Sequence, residues 1–315
     1  MHSIQKGWNF YMKLFEKESL KKSVIFFLIL SILFLLIQIP FYSARKYGYQ
    51  YKTVYQKVET FKKYENRQLD VLYLGDSVGW AAFSPRTLWN NSGFTSYNLC
   101  TSGQWLEDAS AILSVIGERM PKVLVIEGSM LFEHPNQIKN LFYKNFPLFH
   151  YHDYFRYTRE VKLFENETKG YNDSNVVQPF NNGNDYMQHV NKDDVIKDDS
   201  KYYLDEILEK CKKFNTEVIV VTVPNGKGWN QSKHNYLTSY CETKGLPFID
   251  FNMLLDNIHF DWQTDTRDGG EHLNNSGSVK VMEYLSKYLH DNYQLKDKHD
   301  NTDFQAWNEL FERDK

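Results

Sequence analysis

Ser77, His272 and Asp268 are the residues whose types and surroundings could carry nucleophilic chemistry in this sequence. A serine hydroxyl is a weak nucleophile on its own. It needs a base to take its proton, and donors to hold the charge that develops on an attacked carbonyl. Ser77 ends the string Val71-Leu72-Tyr73-Leu74-Gly75-Asp76-Ser77. The apolar run reads as a buried parallel strand. Gly75 permits a sharp turn at its carboxyl end, where open α/β sheets place their chemistry. Taken alone, the motif also fits a plain turn in which Asp76 or Ser77 caps the next helix.

Of the 10 histidines, His272 stands out by context. Asp268-Gly269-Gly270-Glu271 precede it, and Leu273-Asn274-Asn275-Ser276-Gly277 open a helix behind an Asn/Ser cap. An imidazole is the best base near neutral pH. Its orienting carboxylate must reach Nδ1. Asp268 is preferred, because a bulge at Gly269-Gly270 returns it to the ring. Asp265 and Glu271 are the alternatives.

The elements that must position these residues alternate in type. Strands are expected at Asp70–Leu74, Thr95–Leu99, Lys122–Glu127, Glu217–Pro224 and Pro247–Asp250. Helical patterns lie between them at Leu106–Arg119, Lys201–Lys213 and Lys233–Lys244, and Ser276–Asp291 closes the domain. This order predicts an α/β fold: a flavodoxin-like doubly wound parallel sheet in three α/β/α layers. Phe132–Ser200 breaks the rhythm and is too long for a loop, so it reads as an insertion. Its first half is crowded with aromatics, from Phe142 to Tyr157. That density suits either a sugar-facing wall over the cleft or a surface resting on a membrane.

With both ends in view, Asp70–Tyr293 resembles the SGNH (GDSL-type) family of serine esterases and acyltransferases. Gly75-Asp76-Ser77 resembles its first block. Asn98-Leu99-Cys100-Thr101-Ser102-Gly103 resembles its second, and His272-Leu273-Asn274 its last. The resemblance implies a Ser77–His272–Asp268 triad and an oxyanion hole made by the N–H groups of Ser77 and Gly103. Asp76, Asn98, Gln104 and Asp265 stand as supporting candidates. The third block departs from the pattern, since Glu127-Gly128-Ser129-Met130 puts Met130 where the family has a donating Asn. Ser129 or Gln104 would have to substitute. The departure points to the membrane-linked acyl-transfer branch. Expected substrates there are acyl, chiefly acetyl, esters of cell-surface glycans, with a membrane acyltransferase as partner. Hydrolase and transferase stay open. A non-catalytic glycan-binding or assembly protein that retained the fold is the competing reading.

The 315 residues suffice for one sizeable domain with appendages. A net charge of −3 provides no basic field for nucleic acid. Cys100, Cys211 and Cys241 have no metal-like spacing and define no disulfide framework. His150-Tyr151-His152 lacks a third ligand, so no metal and no cofactor is expected. Val24–Tyr42 is almost wholly apolar. As a helix it is about 28 Å long, against about 30 Å of bilayer core. Its length and the poor cleavage site at Tyr42-Ser43-Ala44 favour an uncleaved anchor over a signal peptide. The expected organisation is a cytoplasmic segment 1–23, a membrane anchor 24–42 and a stalk 43–68. An extracytoplasmic catalytic domain 69–293 with insertion 132–200 follows, then a polar tail 294–315.

Overall fold

The apolar run after Asp70 forms strand β1 (Val71–Leu74) at the centre of a five-stranded sheet. The computed structural model describes residues 2–65, 67–164, 166–191 and 194–312, with side-chain detail from Lys17 onward. Met1 and residues 313–315, the extremities of the two expected terminal segments, lie outside the described residues. The other strands are β2 (Ser96–Asn98), β3 (Val123–Glu127), β4 (Glu217–Thr222) and β5 (Phe248–Asp250). They lie side by side as β2-β1-β3-β4-β5, every pair parallel, which is the expected flavodoxin-like order. Val71 pairs with Ser96 on one side and Val123 on the other. Successive residues feed opposite faces. Leu72, Leu74, Leu124 and Ile126 enter one buried cluster, and Val71, Tyr73, Val123 and Val125 enter the other. A strand buried on both faces has no reason to alternate with polar residues, hence the continuous run in sequence.

The helices follow in chain order. A single helix α1 runs from His2 to Gln38, so the segment before Val24 is continuous with the anchor rather than separate. Pro40 lacks an N–H and cannot extend it, and a 3₁₀ turn continues over Ile39–Tyr47. The stretch Lys17–Tyr47 is long and apolar enough to cross a membrane. Helix α2 (Tyr51–Tyr64), helical as expected of the stalk, packs on the domain. Tyr51, Val54, Val58 and Phe61 form a buried stripe that packs α2 against helix α5 (Leu106–Ile116). Ser77 opens the short helix α3 (Ser77–Ala82), followed by α4 (Pro85–Ser92).

The insertion carries α6 (Gln137–Asn145), α7 (Leu148–Tyr151) and α8 (Tyr154–Glu160). Its aromatics dock on the end of α1 and on α2. Phe34 meets Phe146 at 5.6 Å, Phe41 meets Phe155 at 5.8 Å, and Tyr51 meets Tyr151 at 5.0 Å between ring centroids. Then come α9 (Asp198–Lys213), α10 (Gln231–Lys244), α11 (Asn275–Asn292) and α12 (Gln305–Glu312). Helices α2, α5, α9 and α10 cover one face of the sheet; α3, α4 and α11 cover the other. All three cysteines are free and buried.

The C-terminal segment is not a loose polar tail. Lys298 pairs with the buried Asp70, and the Trp89 indole donates to Asn308 at 3.1 Å. Phe311 and Trp307 of α12 are buried beside Trp89. We expect Phe311→Ala to lower the unfolding free energy by about 3 kcal/mol or more, read by denaturant unfolding of the full chain in detergent. Wild-type stability for that variant would mean the segment does not pack on the domain.

Candidate active site

The chain reaches Ser77 through a crowded turn. The Gly75 N–H donates to Gln104 Oε1 at 3.1 Å, and the Gly75 carbonyl accepts from Thr101 N–H at 3.0 Å. A Cβ at Gly75 would sit 2.5 Å from Cβ of Glu127, so no larger residue fits. Asp76 caps α3, accepting from the Val78 N–H at 2.8 Å. Ser77 is thereby the first residue of the helix at the carboxyl end of β1. Asn98 holds the far end of the same helix, donating to the carbonyls of Gly79 at 3.1 Å and Phe83 at 2.8 Å.

The histidine arrives on a second tight turn. Gly269 and Gly270 have φ of +76° and +103°, a region that disfavours a Cβ. At Gly270 the Phe180 side chain also leaves no room, with ring atoms 2.5 and 2.6 Å and its Cβ 2.9 Å from a Cβ position. This turn folds Asp268 back. One carboxylate oxygen accepts from the N–H groups of Glu271 at 3.1 Å and His272 at 2.9 Å. The other bonds His272 Nδ1. With Nδ1–H donating to Asp268, the ring presents Nε2 to Ser77 Oγ at 2.8 Å. Burial alone would push the Asp268 carboxyl up. The bonds from the His272 ring and backbone outweigh it and hold the carboxyl below its usual range, which keeps it an acceptor.

The alternative carboxylates are engaged elsewhere or face away. Asp265 is fully buried and accepts from Ser276 Oγ at 2.7 Å and Asp261 N–H at 2.7 Å, while pairing with Lys280 at 2.6 Å. It braces the start of α11 and does not orient His272. Glu271 is exposed. Asp268, Glu271 and His272 do bring ligand atoms within 4.8 Å of one another, the one such group among the described residues. Two of the three are already committed to the serine relay.

The expected side-chain substitutes for the third-block Asn are corrected by the hydrogen bonds. Ser129 donates its hydroxyl proton to Glu127. Gln104 is buried and donates both amide protons, to the Leu99 carbonyl at 3.0 Å and Thr101 Oγ1 at 3.2 Å. Met130 is buried in the core. Backbone N–H groups remain for the oxyanion. Gly103 lies exposed on the turn after β2 with φ +62°, next to the Gln50 side chain.

Glu127 and Lys57 were not read as site residues in the sequence, and they lie beside Asp76, a supporting candidate there. Glu127 lies fully buried beneath Gly75. Burial first, then the nearby Asp76, pushes its carboxyl up to about 8. Burial likewise pushes Asp76 up to about 6, with the Val78 N–H and His272 opposing and Glu133 adding to the rise. Lys57 of α2 is buried on the same stripe as Val54 and Val58, and burial lowers its ammonium to about 7. It donates to the carbonyls of Asn98 and Gly170, and the Trp80 indole donates to Gly170 at 2.8 Å. So α2 and the Lys169-Gly170-Tyr171 turn both reach the helix that carries Ser77. A lysine inside an apolar helical stripe was the readable signal.

No family model matches this sequence, and no curated protein matches it. Solved structures do. A protein from Desulfitobacterium hafniense DCB-2 assigned as a lipolytic protein of the G-D-S-L family is 14% identical, with TM-score 0.39 over 69% of this chain and 97% of that one. A Streptococcus pneumonia protein assigned as a platelet activating factor is 12% identical, with TM-score 0.44 over 84% and 99%. The acetyl xylan esterase Est2A from Butyrivibrio proteoclasticus is 10% identical, with TM-score 0.33 over 72% and 64%. Such scores carry no argument of their own. The sheet order and the site layout do. The parallel sheet order and the Ser77–His272–Asp268 layout are those that the SGNH resemblance implies.

The buried Glu127 gives a pH signature. Between its ordinary value of 4.5 and about 8, the native state holds a proton that the unfolded state has released. Stability must then fall as pH rises through that window, by up to about 1.4 kcal/mol per pH unit. We expect the wild-type minus Glu127→Gln difference in unfolding free energy to decline from about pH 5 to 8. A wild-type minus variant difference that is flat with pH would contradict the buried neutral acid.

Proposed function

We infer that this chain is a membrane-anchored serine esterase or O-acyltransferase, acting on acyl, chiefly acetyl, esters of cell-surface glycans. The observation that carries this reading is the relay Ser77 Oγ–His272 Nε2 at 2.8 Å, continued from His272 Nδ1 to Asp268. In the proposed reaction Ser77 Oγ attacks the acyl carbonyl while His272 Nε2 takes its proton. Asp268 holds the ring and stabilises its cation. The N–H groups of Ser77 and Gly103 hold the oxyanion. The C–O bond to the leaving alcohol breaks, and His272 returns the proton to that oxygen. Water or a glycan hydroxyl then releases the acyl group from Ser77 by the same steps in reverse.

Support for a hydroxyl-rich substrate comes from a groove of about 660 Å³ beside the catalytic turn, lined in part by Asn181, Asn182, Asp185, His189 and Asn230. Lys227 also lines it and donates to the Asp268 carbonyl at 2.6 Å. The apolar helix α1 supports an anchor; in the proposal the catalytic domain lies outside the cytoplasm and a membrane acyltransferase supplies the acyl groups. One observation favours the second reading, a non-catalytic glycan-binding or assembly protein. Neither Ser129 nor Gln104 is free to replace the third-block Asn, a loss of about 3 kcal/mol of transition-state stabilisation.

Acetyl-ester turnover and mass-detected acyl-enzyme separate the two. We expect Ser77→Ala and His272→Ala to lose about 10⁶-fold, and Asp268→Asn about 10⁴-fold, because asparagine still touches the ring but cannot stabilise its cation. Asp265→Asn should lower stability and leave turnover per folded molecule near wild type. Full turnover in Ser77→Ala would sink the enzyme reading. A crippled Asp265→Asn beside a normal Asp268→Asn would mean the wrong carboxylate.

A further inference from the structure

Helix α6 has its polar side turned in. Ile138, Leu141 and Phe142, spaced by three and four residues, share the outer face and are 84%, 64% and 44% exposed. The inner face carries Asn140, which is buried and donates to Glu107 at 3.1 Å. Lys144 also turns in, pairing with Glu107 at 3.1 Å and donating to Tyr203 at 2.9 Å. A helix on a water-washed surface is arranged the other way round.

The outward apolar surface does not stop at α6. The Phe142 ring meets Phe146 at 5.2 Å and Phe149 at 5.3 Å, and both of these meet Phe34 of α1. Phe149 and Phe155 are themselves about half exposed. This surface is therefore continuous with α1, whose large apolar residues from Val24 to Ile37 are exposed all round. Tyr42, Arg45 and Lys139, which are all exposed, edge it; aromatic and basic side chains of this kind sit at headgroup level in membranes. The junction is fixed by hydrogen bonds. Gln38, buried at the end of α1, accepts from the Leu148 N–H at 3.0 Å, and Tyr42 donates to the Asn145 carbonyl at 3.1 Å.

We propose that the outer face of α6, α7 and Phe155 is a lipid-binding platform, seated in the headgroup–acyl boundary of the bilayer that α1 spans. This rests on the anchor reading above. The platform gives the domain a second attachment to the membrane, so α1 is not a flexible tether and the catalytic domain is held at one tilt. Lipid is the occupant because the exposed surface runs without a break from a lipid-exposed helix and is bordered as interfacial helices are.

The test uses the full chain, alone, in nanodiscs made with acyl-brominated phosphatidylcholine. A bimane label is placed at Ile32→Cys, Leu141→Cys or Lys287→Cys; the native cysteines are buried and Lys287 is exposed on α11, across the sheet. The label at 141 should lose most of its emission, as the one at 32 does, and the label at 287 should keep it. A bright label at 141 beside a quenched one at 32 overturns the platform and spares the anchor. A blue-shifted but unquenched label at 141 overturns it in favour of a protein contact. Bright labels at both positions defeat the anchor reading and the platform together.

Discussion

The hydrogen bond between His272 and Ser77 closes the chain on itself, and most of the structure around it serves that closure. Its two ends come from β1 and from the turn before α11, which are far apart in sequence. Neither end tolerates slack, because a relay lengthened by an ångström loses its proton transfer. Gly75 fixes one approach by its contact with Glu127, and Gly270 fixes the other by its contact with Phe180. The second half of the insertion supplies the bracing between them. Asn172 N–H donates to the Trp80 carbonyl, Gly269 N–H to the Gln178 carbonyl, and Gln178 N–H to the Thr266 carbonyl. A segment that reads as irregular and Asn/Asp-rich thus ties the serine helix to the histidine loop through its backbone.

Beneath the relay lies a polar layer that a hydrophobic core would ordinarily exclude. Glu127 and Lys57 are buried there and Asp76 is partly buried, and each is pushed toward its neutral form. Groups of this kind cost stability unless they are hydrogen-bonded. Most are: Glu127 Oε2 accepts from Ser129 and Met130 while its Oε1 is buried without a partner, Asp76 accepts from Val78, and Lys57 donates to two carbonyls. Each bond fixes a loop that borders Ser77. The layer explains why the third-block position does not follow the SGNH pattern. Ser129 is committed downward to Glu127, and the turn over Gly128–Phe132 buries Met130 instead of presenting a donor.

Much of this was legible in the sequence, for reasons that can be named. Val71–Leu74 was readable because a strand buried on both faces is uniformly apolar. Asp268 was readable because two consecutive glycines announce a turn that alters the usual spacing to His272. The long apolar helix was readable from length and composition, and Pro40 marked its end. What stayed hidden depends on tertiary partners. The polar face of α2 looks like a stalk until its thin stripe of Val54, Val58 and Phe61 meets α5. The segment after Asn292 reads as a polar tail because its apolar residues are few and scattered, yet Trp307 against Trp89, Phe311 against Trp307 and the pairing of Lys298 with Asp70 hold it down. The side-chain donors expected at Gln104 and Ser129 failed for a related reason: sequence names a donor but not the acceptor it has already found.

The central claim is that Ser77 is an activated nucleophile, and reaction with a serine-directed fluorophosphonate tests it most directly. The reagent needs only an activated hydroxyl and an oxyanion site, so it is blind to which acyl donor or glycan is used. Intact mass followed by peptide mapping should show one adduct per chain, on the peptide carrying Ser77, and none after mild alkylation of His272. An unmodified wild-type chain, or an adduct on any other residue, would contradict the account.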